Sequence, residues 1–161
     1  MTEREFCVYA LGDEISKFER LLSAIPRENQ DYKPDLKSKT AIQIAQAITM
    51  ESGTLPKILE TGDLDFLKES PVASVVPEEL GKLTAENLQK TKEMVEQMSD
   101  DAWEAPARMH MGDTNEWKAT KGKMVLSFLF DLIHHPGQIS TYIRAMGGKV
   151  PSIYGPTADT E

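Results

Sequence analysis

The stretch Met124-Val-Leu-Ser-Phe-Leu-Phe-Asp-Leu-Ile-His-His-Pro-Gly-Gln-Ile-Ser-Thr-Tyr-Ile-Arg-Ala-Met-Gly-Gly148 decides the fold class. From Val125 to Ile133 it is apolar nearly all round, as a helix buried in a core must be. Its longest apolar run, Met124 to Ile133, is broken by Ser127 and Asp131 and reaches about half of the ~20 residues a membrane span needs. The helix starts near Lys121 to Lys123, and Gly147-Gly148 ends it, since glycine is favoured just past a helix C-terminus. At about 100° per residue, Asp131, His135, Gln138 and Tyr142 fall on one narrow stripe. That stripe borders the apolar one of Phe128, Leu132, Ile139 and Met146. A polar stripe at the edge of a buried face can line a pocket between helices.

Three further segments carry helical periodicity upstream. In the first, from about Glu3 to Ile25, Phe6, Ala10, Leu11, Ile15, Phe18, Leu21 and Leu22 recur at three- and four-residue steps, and Pro26 stops it. Residues 27–37 hold Asn29, Asp31, Pro34 and Asp35 and read as a loop. Ser38 is the expected N-cap of the second helix, which runs from about Thr40 towards Glu60 with Ile44, Ile48 and Leu55 inward. Gly53 and Pro56 kink it or end it early, and Gly62-Asp63 ends it at the latest. After a loop in which Val72, Val75 and Val76 pack loosely or form a short extended piece, Pro77 marks a helix start. The third helix proper begins at Thr84 and ends near Met98, with Leu88, Met94, Val95 and Met98 on its narrower apolar face. Ser99 caps a short turn, and Trp103 to Thr120 reads as a loop with a poor hairpin. Residues 150–161 form a tail. Four long helices joined by connections of mixed length predict an all-α four-helix bundle in a single domain.

Composition narrows the function classes. Among 161 residues, 40% are hydrophobic and 27% charged, the balance of a globular chain. Lys and Arg total 18 against 26 Asp and Glu, a formal charge of −8. This is not the basic footprint of a nucleic-acid binder, and an anionic membrane surface would repel it. The beginning of the sequence carries acids rather than the apolar run of a secretory leader. The single Cys7 excludes an internal disulfide framework and a cysteine-rich zinc site. A reducing, cytoplasmic setting is expected, with Cys7 read as a packing residue. No phosphate loop, serine nucleophile elbow or dinucleotide fingerprint is present.

The chemistry concentrates on the last helix. Asp131 and His135 are four residues apart and can reach one point over the same turn. A carboxylate and an imidazole suit a divalent metal; alternatively, the carboxylate holds the imidazole in one tautomer and makes His135 a base. His134 points about 100° away. Pro136 removes a hydrogen bond and crowds the carbonyl of Leu132, so a kink or bulge is expected there. On the second helix Gln43, Ala47 and Glu51 form a matching stripe, and Glu51 is a second carboxylate if the two stripes face each other. His110 reads as a surface residue.

The run from Asp131 through His134-His-Pro-Gly-Gln138, Tyr142-Ile-Arg144 and Val150-Pro-Ser-Ile-Tyr-Gly-Pro156 to Asp159 closely resembles the C-terminal signature of the DinB-like (YfiT-like) family of metalloenzymes. Ser38-Lys-Thr-Ala-Ile-Gln-Ile-Ala-Gln-Ala-Ile48, Ile25-Pro-Arg-Glu-Asn29 and Tyr32-Lys-Pro34 resemble its second-helix segment and first loop. The resemblance implies an up-down-down-up four-helix bundle, usually a homodimer. It also implies a nickel or zinc site of three histidines, one from the second helix and two from a His-x-x-x-His pair. Some relatives are transferases or isomerases that use bacillithiol, mycothiol or glutathione.

The sequence departs from that pattern within the site. His135 matches one implied ligand, Asp131 stands for a second, and Ala47 stands where the second helix should supply a histidine. Pro136 replaces an arginine. The resulting expectation is a remodelled site of His135 and Asp131, with Glu51 or His134 as third group, in a pocket lined by Gln43, Ala47, Glu51, Gln138 and Tyr142. One reading is a hydrolase or thiol-dependent transferase acting on a small molecule through nickel or zinc, with no catalytic residue identified. The other is a metal-free, non-catalytic protein that binds a small ligand or a partner. Metal-free acid–base chemistry by Asp131 and His135 is a third.

Overall fold

Thr2 starts the first helix by a reciprocal cap: its hydroxyl accepts from the Glu5 N–H, and the Glu5 carboxylate accepts from the Thr2 N–H. Helix α1 spans Glu3–Ser23, α2 Ala41–Thr61, α3 Pro77–Gln97, α4 Asp100–Trp103 and α5 Lys121–Ala145. Strands β1 (Asp63–Asp65), β2 (Pro106–His110) and β3 (Glu116–Thr120) and two single-turn 3-10 helices, Arg27–Asn29 and Phe66–Lys68, complete the elements among the described residues. This computed structural model describes residues 1–112 and 114–160. Asp113, in the expected irregular connection, and Glu161, in the expected tail, lie outside the described residues.

The four long helices pack in pairs: α1 against α3 and α5, and α2 against α3 and α5. Between them lies one core, with Phe18, Leu11, Ile48, Leu55, Leu88 and Leu129 sealed from solvent. Burying each such side chain contributes roughly 1.5–3 kcal/mol relative to exposure. Glycine is required where α4 meets α5: a Cβ on Gly122 would lie 2.2 Å from Trp103 Cε2. The buried face of α1 is Cys7, Leu11, Glu14, Phe18, Leu21 and Leu22. It is rotated from the expected one, so Phe6 is exposed.

The expected all-α class is corrected by a three-stranded sheet in the order β1-β2-β3. β1 runs parallel to β2, pairing Leu64 with Met109, and β2 runs antiparallel to β3. Leu64, Ala107 and Met109 turn inward, while Arg108 and Lys118 face solvent. β2 and β3 fall in the span where a poor hairpin is expected, whereas β1, three residues long, carries too little alternation to stand out in the sequence.

Other boundaries shift for identifiable reasons. Thr40, not Ser38, caps α2, because it forms a capping box with Gln43. Neither Gly53 nor Pro56 ends α2; both lie inside a helix that closes at Gly62, whose φ of 68° suits glycine. Val72, Val75 and Val76 form no strand. α3 is continuous from Pro77 rather than starting at Thr84. Of the kink or bulge expected at Pro136, the bulge is absent: α5 is α-helix throughout, with Pro136 inside it. No helix among the described residues is long and apolar enough to cross a membrane.

Candidate functional site

Helices α2 and α5 bring together side chains 80 residues apart in sequence. Ile44, Ile48 and Leu55 on α2 and Leu129, Leu132 and Ile139 on α5 are fully buried, so the stripes bordering those faces must approach each other. Glu51 therefore meets Asp131 and His135. One ligand atom from each of the three lies within 4.8 Å of the others. His135 Nε2 is 3.8 Å from Asp131 Oδ2 and 4.0 Å from Glu51 Oε2. Glu51 is buried, His135 half-buried and Asp131 exposed, so the cluster is rooted in the core and open on one side.

Two features set its electrostatics. Burial, reinforced by the neighbouring Asp131 carboxylate, pushes the Glu51 carboxyl up from 4.5 to about 8, while Lys39 opposes the rise. At neutral pH Glu51 holds a proton. On the imidazole, Nδ1 lies 3.2 Å from Gln138 Oε1. With Nδ1–H donating to that oxygen, Nε2 keeps its lone pair and directs it at two carboxyl groups. The protonated Glu51 carboxyl then faces two acceptors, and a cation that displaced its proton would be held by all three groups.

The donor set fits a divalent metal. Three protein ligands are the count found in catalytic zinc sites, and ligand bonds near 2.1 Å place tetrahedral donors roughly 3.4 Å apart. The observed 3.8 and 4.0 Å exceed that by roughly half an ångström, within the reach of side-chain rotation. An imidazole with two carboxylates suits zinc or nickel. Gln138 supplies the outer hydrogen bond that fixes a ligating histidine.

The other sequence-predicted residues are placed as follows. His134 is exposed beside His135, ring centroids 5.3 Å apart, and is not a member of the cluster. Ala47 lies one turn before Glu51 and offers no donor. Gln43 accepts from the Thr40 N–H in the cap of α2. Tyr142 is buried and packs edge-on against Tyr32, centroids 5.7 Å apart. Cys7 is fully buried and its thiol is pushed up to about 12, by burial and then by the Glu3 carboxylate; it is a packing residue. His110 sits between Asp63 and Glu116, 3.3 and 3.8 Å away.

The sequence reading passed over one polar network. Glu14 on α1 is buried; it accepts from the Tyr154 hydroxyl at 2.7 Å and from Lys17 Nζ at 2.9 Å. Lys17 Nζ also lies 4.5 Å from the centre of the Tyr154 ring. The signal was available: 7, 11, 14, 18 is a helical face, and Glu14 falls on it.

Comparison with family models matches residues 11–160 to the DinB family. The chain belongs to the DinB family. Among solved structures, this DinB-family chain resembles a DinB-like protein (YjoA) of Bacillus subtilis, with a TM-score of 0.70 at 19% identity, covering 93% of this chain and 99% of that one. It also resembles a mycothiol-dependent maleylpyruvate isomerase, with a TM-score of 0.60 at 14% identity, covering 89% of this chain and 67% of that one. At these identities the likeness is one of fold. Comparison with curated protein sequences gives no match.

Proposed function

We propose that this DinB-family chain is a divalent-metal-dependent enzyme acting on a small molecule, with Glu51, Asp131 and His135 as the metal-holding residues. The observation that carries the reading is the convergence of those three groups, from two helices, within 4.8 Å. Nickel or zinc held there would supply a water or thiol nucleophile at neutral pH. The chain's own residues prepare the place. Gln138 holds the imidazole so that Nε2 faces the cluster, Glu51 gives up its proton on loading, and Asp131 forms the solvent-facing edge. Hydrolysis and thiol-dependent transfer both fit such a centre. The fold likeness to a mycothiol-dependent isomerase supports the thiol branch.

The Ala47 methyl, where the family implies a histidine, favours a second reading in which the pocket binds a small ligand without metal or turnover. Metal content of tag-free protein, measured by mass spectrometry beside His135→Ala, separates the two. Near-stoichiometric nickel or zinc that is lost in the variant is the expected result. Metal-free protein that takes up neither added ion would overturn the metalloenzyme reading and leave the second, together with metal-free acid–base chemistry by Asp131 and His135.

The same proposal covers architecture and setting. An up-down-down-up path for α1, α2, α3 and α5 is supported by contacts along the helices: Arg4 with Asp100, Arg27 with Glu78, Lys90 with Glu60, Asn87 with Ser52, and Lys121 with the Leu59 carbonyl. Residues 1–161 would form one domain, its tail from 147 tied down by Arg144–Asp159 and Tyr154–Glu14. A cytoplasmic homodimer completes the proposal, and light scattering tests the dimer.

A further inference from the structure

Beside the metal-holding cluster, α2 borders a recess of about 360 Å³, a size in the range of small-molecule sites. Ala47 and Met50 face Pro71 and Val72 across it, and Lys39 and Gln43 stand at one end. The far wall is fixed, because Gln46 Nε2 donates to both the Val72 and the Ser74 carbonyls at 3.1 Å. The lining is thus a methyl, a thioether, a proline ring and an isopropyl group, with polar donors gathered at a single rim. Small-molecule sites have this make-up, an apolar body with a few placed polar groups.

The rim is cationic in an acidic protein. Lys39 is exposed and joins none of the ion pairs among the described residues. Gln43 spends its oxygen on the Thr40 N–H, which leaves its NH₂ as a donor. One ammonium and one amide NH₂ complement a carboxylate. Ala47 links this rim to the reactive centre, for Gln43, Ala47 and Glu51 form one stripe whose successive members, four residues apart, stand about 6 Å apart along the helix. A longer side chain at 47 would fill the floor between them.

We propose that the recess binds a small carboxylic acid, its carboxylate on Lys39 and Gln43 and its apolar body over Ala47 and Met50, pointing towards Glu51 and His135. The direction of approach rests on the metalloenzyme reading; the binding itself does not need metal. Hexanoate is a suitable probe, with hexanamide as its uncharged control. Both are titrated into metal-free protein and followed by amide NMR shifts. Hexanoate is expected to shift Lys39, Gln43, Ala47, Met50 and Val72 saturably. Hexanamide and the Lys39→Gln variant should each weaken binding roughly three- to fivefold, the effect of a partly exposed ion pair. Ala47→Leu should abolish binding while the helical circular dichroism stays unchanged. Saturable shifts at other residues, or equal affinity for acid and amide, would overturn the proposal. The metal content, measured separately, decides the metalloenzyme reading on its own.

Discussion

Glu51 Oε2 on α2 lies 4.0 Å from His135 Nε2 on α5. The contact joins a carboxyl that burial keeps protonated to a ring nitrogen that Gln138 leaves with its lone pair. A cation entering between them must first displace the Glu51 proton. Metal affinity should therefore rise with pH between 4.5 and about 8, approaching roughly tenfold per unit where one proton is released. Above that range the Glu51 contribution is flat. Calorimetric titration of zinc across the range measures the slope. Glu51→Gln should lower affinity roughly 100-fold or more and remove this part of the slope, exceeding the cost of losing a supporting residue. An unchanged slope in the variant would show that the displaced proton is not that of Glu51.

Gln138→Ala should separate support from ligation. The variant keeps all three donors but frees the ring and its tautomer. Affinity is expected to fall roughly 10- to 100-fold, with the pH slope retained because Glu51 is untouched.

The same carboxyl makes a claim on stability in the absence of metal. Its pKa is raised on folding from 4.5 to about 8, so the native state keeps a proton that the unfolded chain releases. The stability this contributes is fully present below pH 4.5 and is lost as pH rises through about 8. Its whole extent is on the order of a few kcal/mol. Glu51→Gln carries no charge at any pH. Urea denaturation in chelator should find the variant close to wild type near pH 4 and more stable than wild type near pH 9. An offset that does not change with pH would contradict the linkage.

Much of this was legible in the sequence, because long helices advertise themselves through periodicity. The stripe of Asp131, His135 and Gln138 follows from helical geometry alone, and regular geometry through Pro136 leaves His134 outside the cluster. Whether Glu51 faced that stripe was not legible, since no local pattern records which helix packs on which. The α2–α5 packing brings Glu51, and not His134, beside Asp131 and His135. The β2–β3 pair falls where the sequence suggests a poor hairpin, but β1 escaped notice because Leu64 owes its place to Met109, a partner 45 positions away. Glu14 was overlooked for a different reason: acids are mostly exposed, and its partner Tyr154 approaches from the far end of the chain.

That partnership predicts a cost for releasing the tail. Tyr154→Phe removes the 2.7 Å hydrogen bond to Glu14 but leaves the ring over Lys17 and the Lys17–Glu14 pair. A loss of about 1 kcal/mol in denaturant unfolding is expected. Glu14→Ala strips the partner from the phenol and one of two carboxylates from the Lys17 ammonium, which is only 12% exposed and keeps Asp13. The expected loss is about 2 kcal/mol, since the phenol loses its bond and the Lys17 ammonium loses one of its two charged partners. Equal losses in the two variants would mean that the Lys17 pair contributes nothing.

Ala47→His tests the departure from the family pattern directly. Residue 47 stands one turn before Glu51 on the same stripe, so an imidazole introduced there can reach the cluster as a fourth donor. Zinc affinity should rise by at least about tenfold, an effect that even a supporting group can have. The same ring would occupy the floor of the recess between Lys39 and Glu51, so hexanoate binding should be lost. The two readouts should move in opposite directions for one physical reason. A small side chain at 47 leaves the cluster with three protein donors and leaves the recess open. If zinc affinity rises while hexanoate still binds unchanged, the metal cluster stands and the recess at Ala47 is not the carboxylate site.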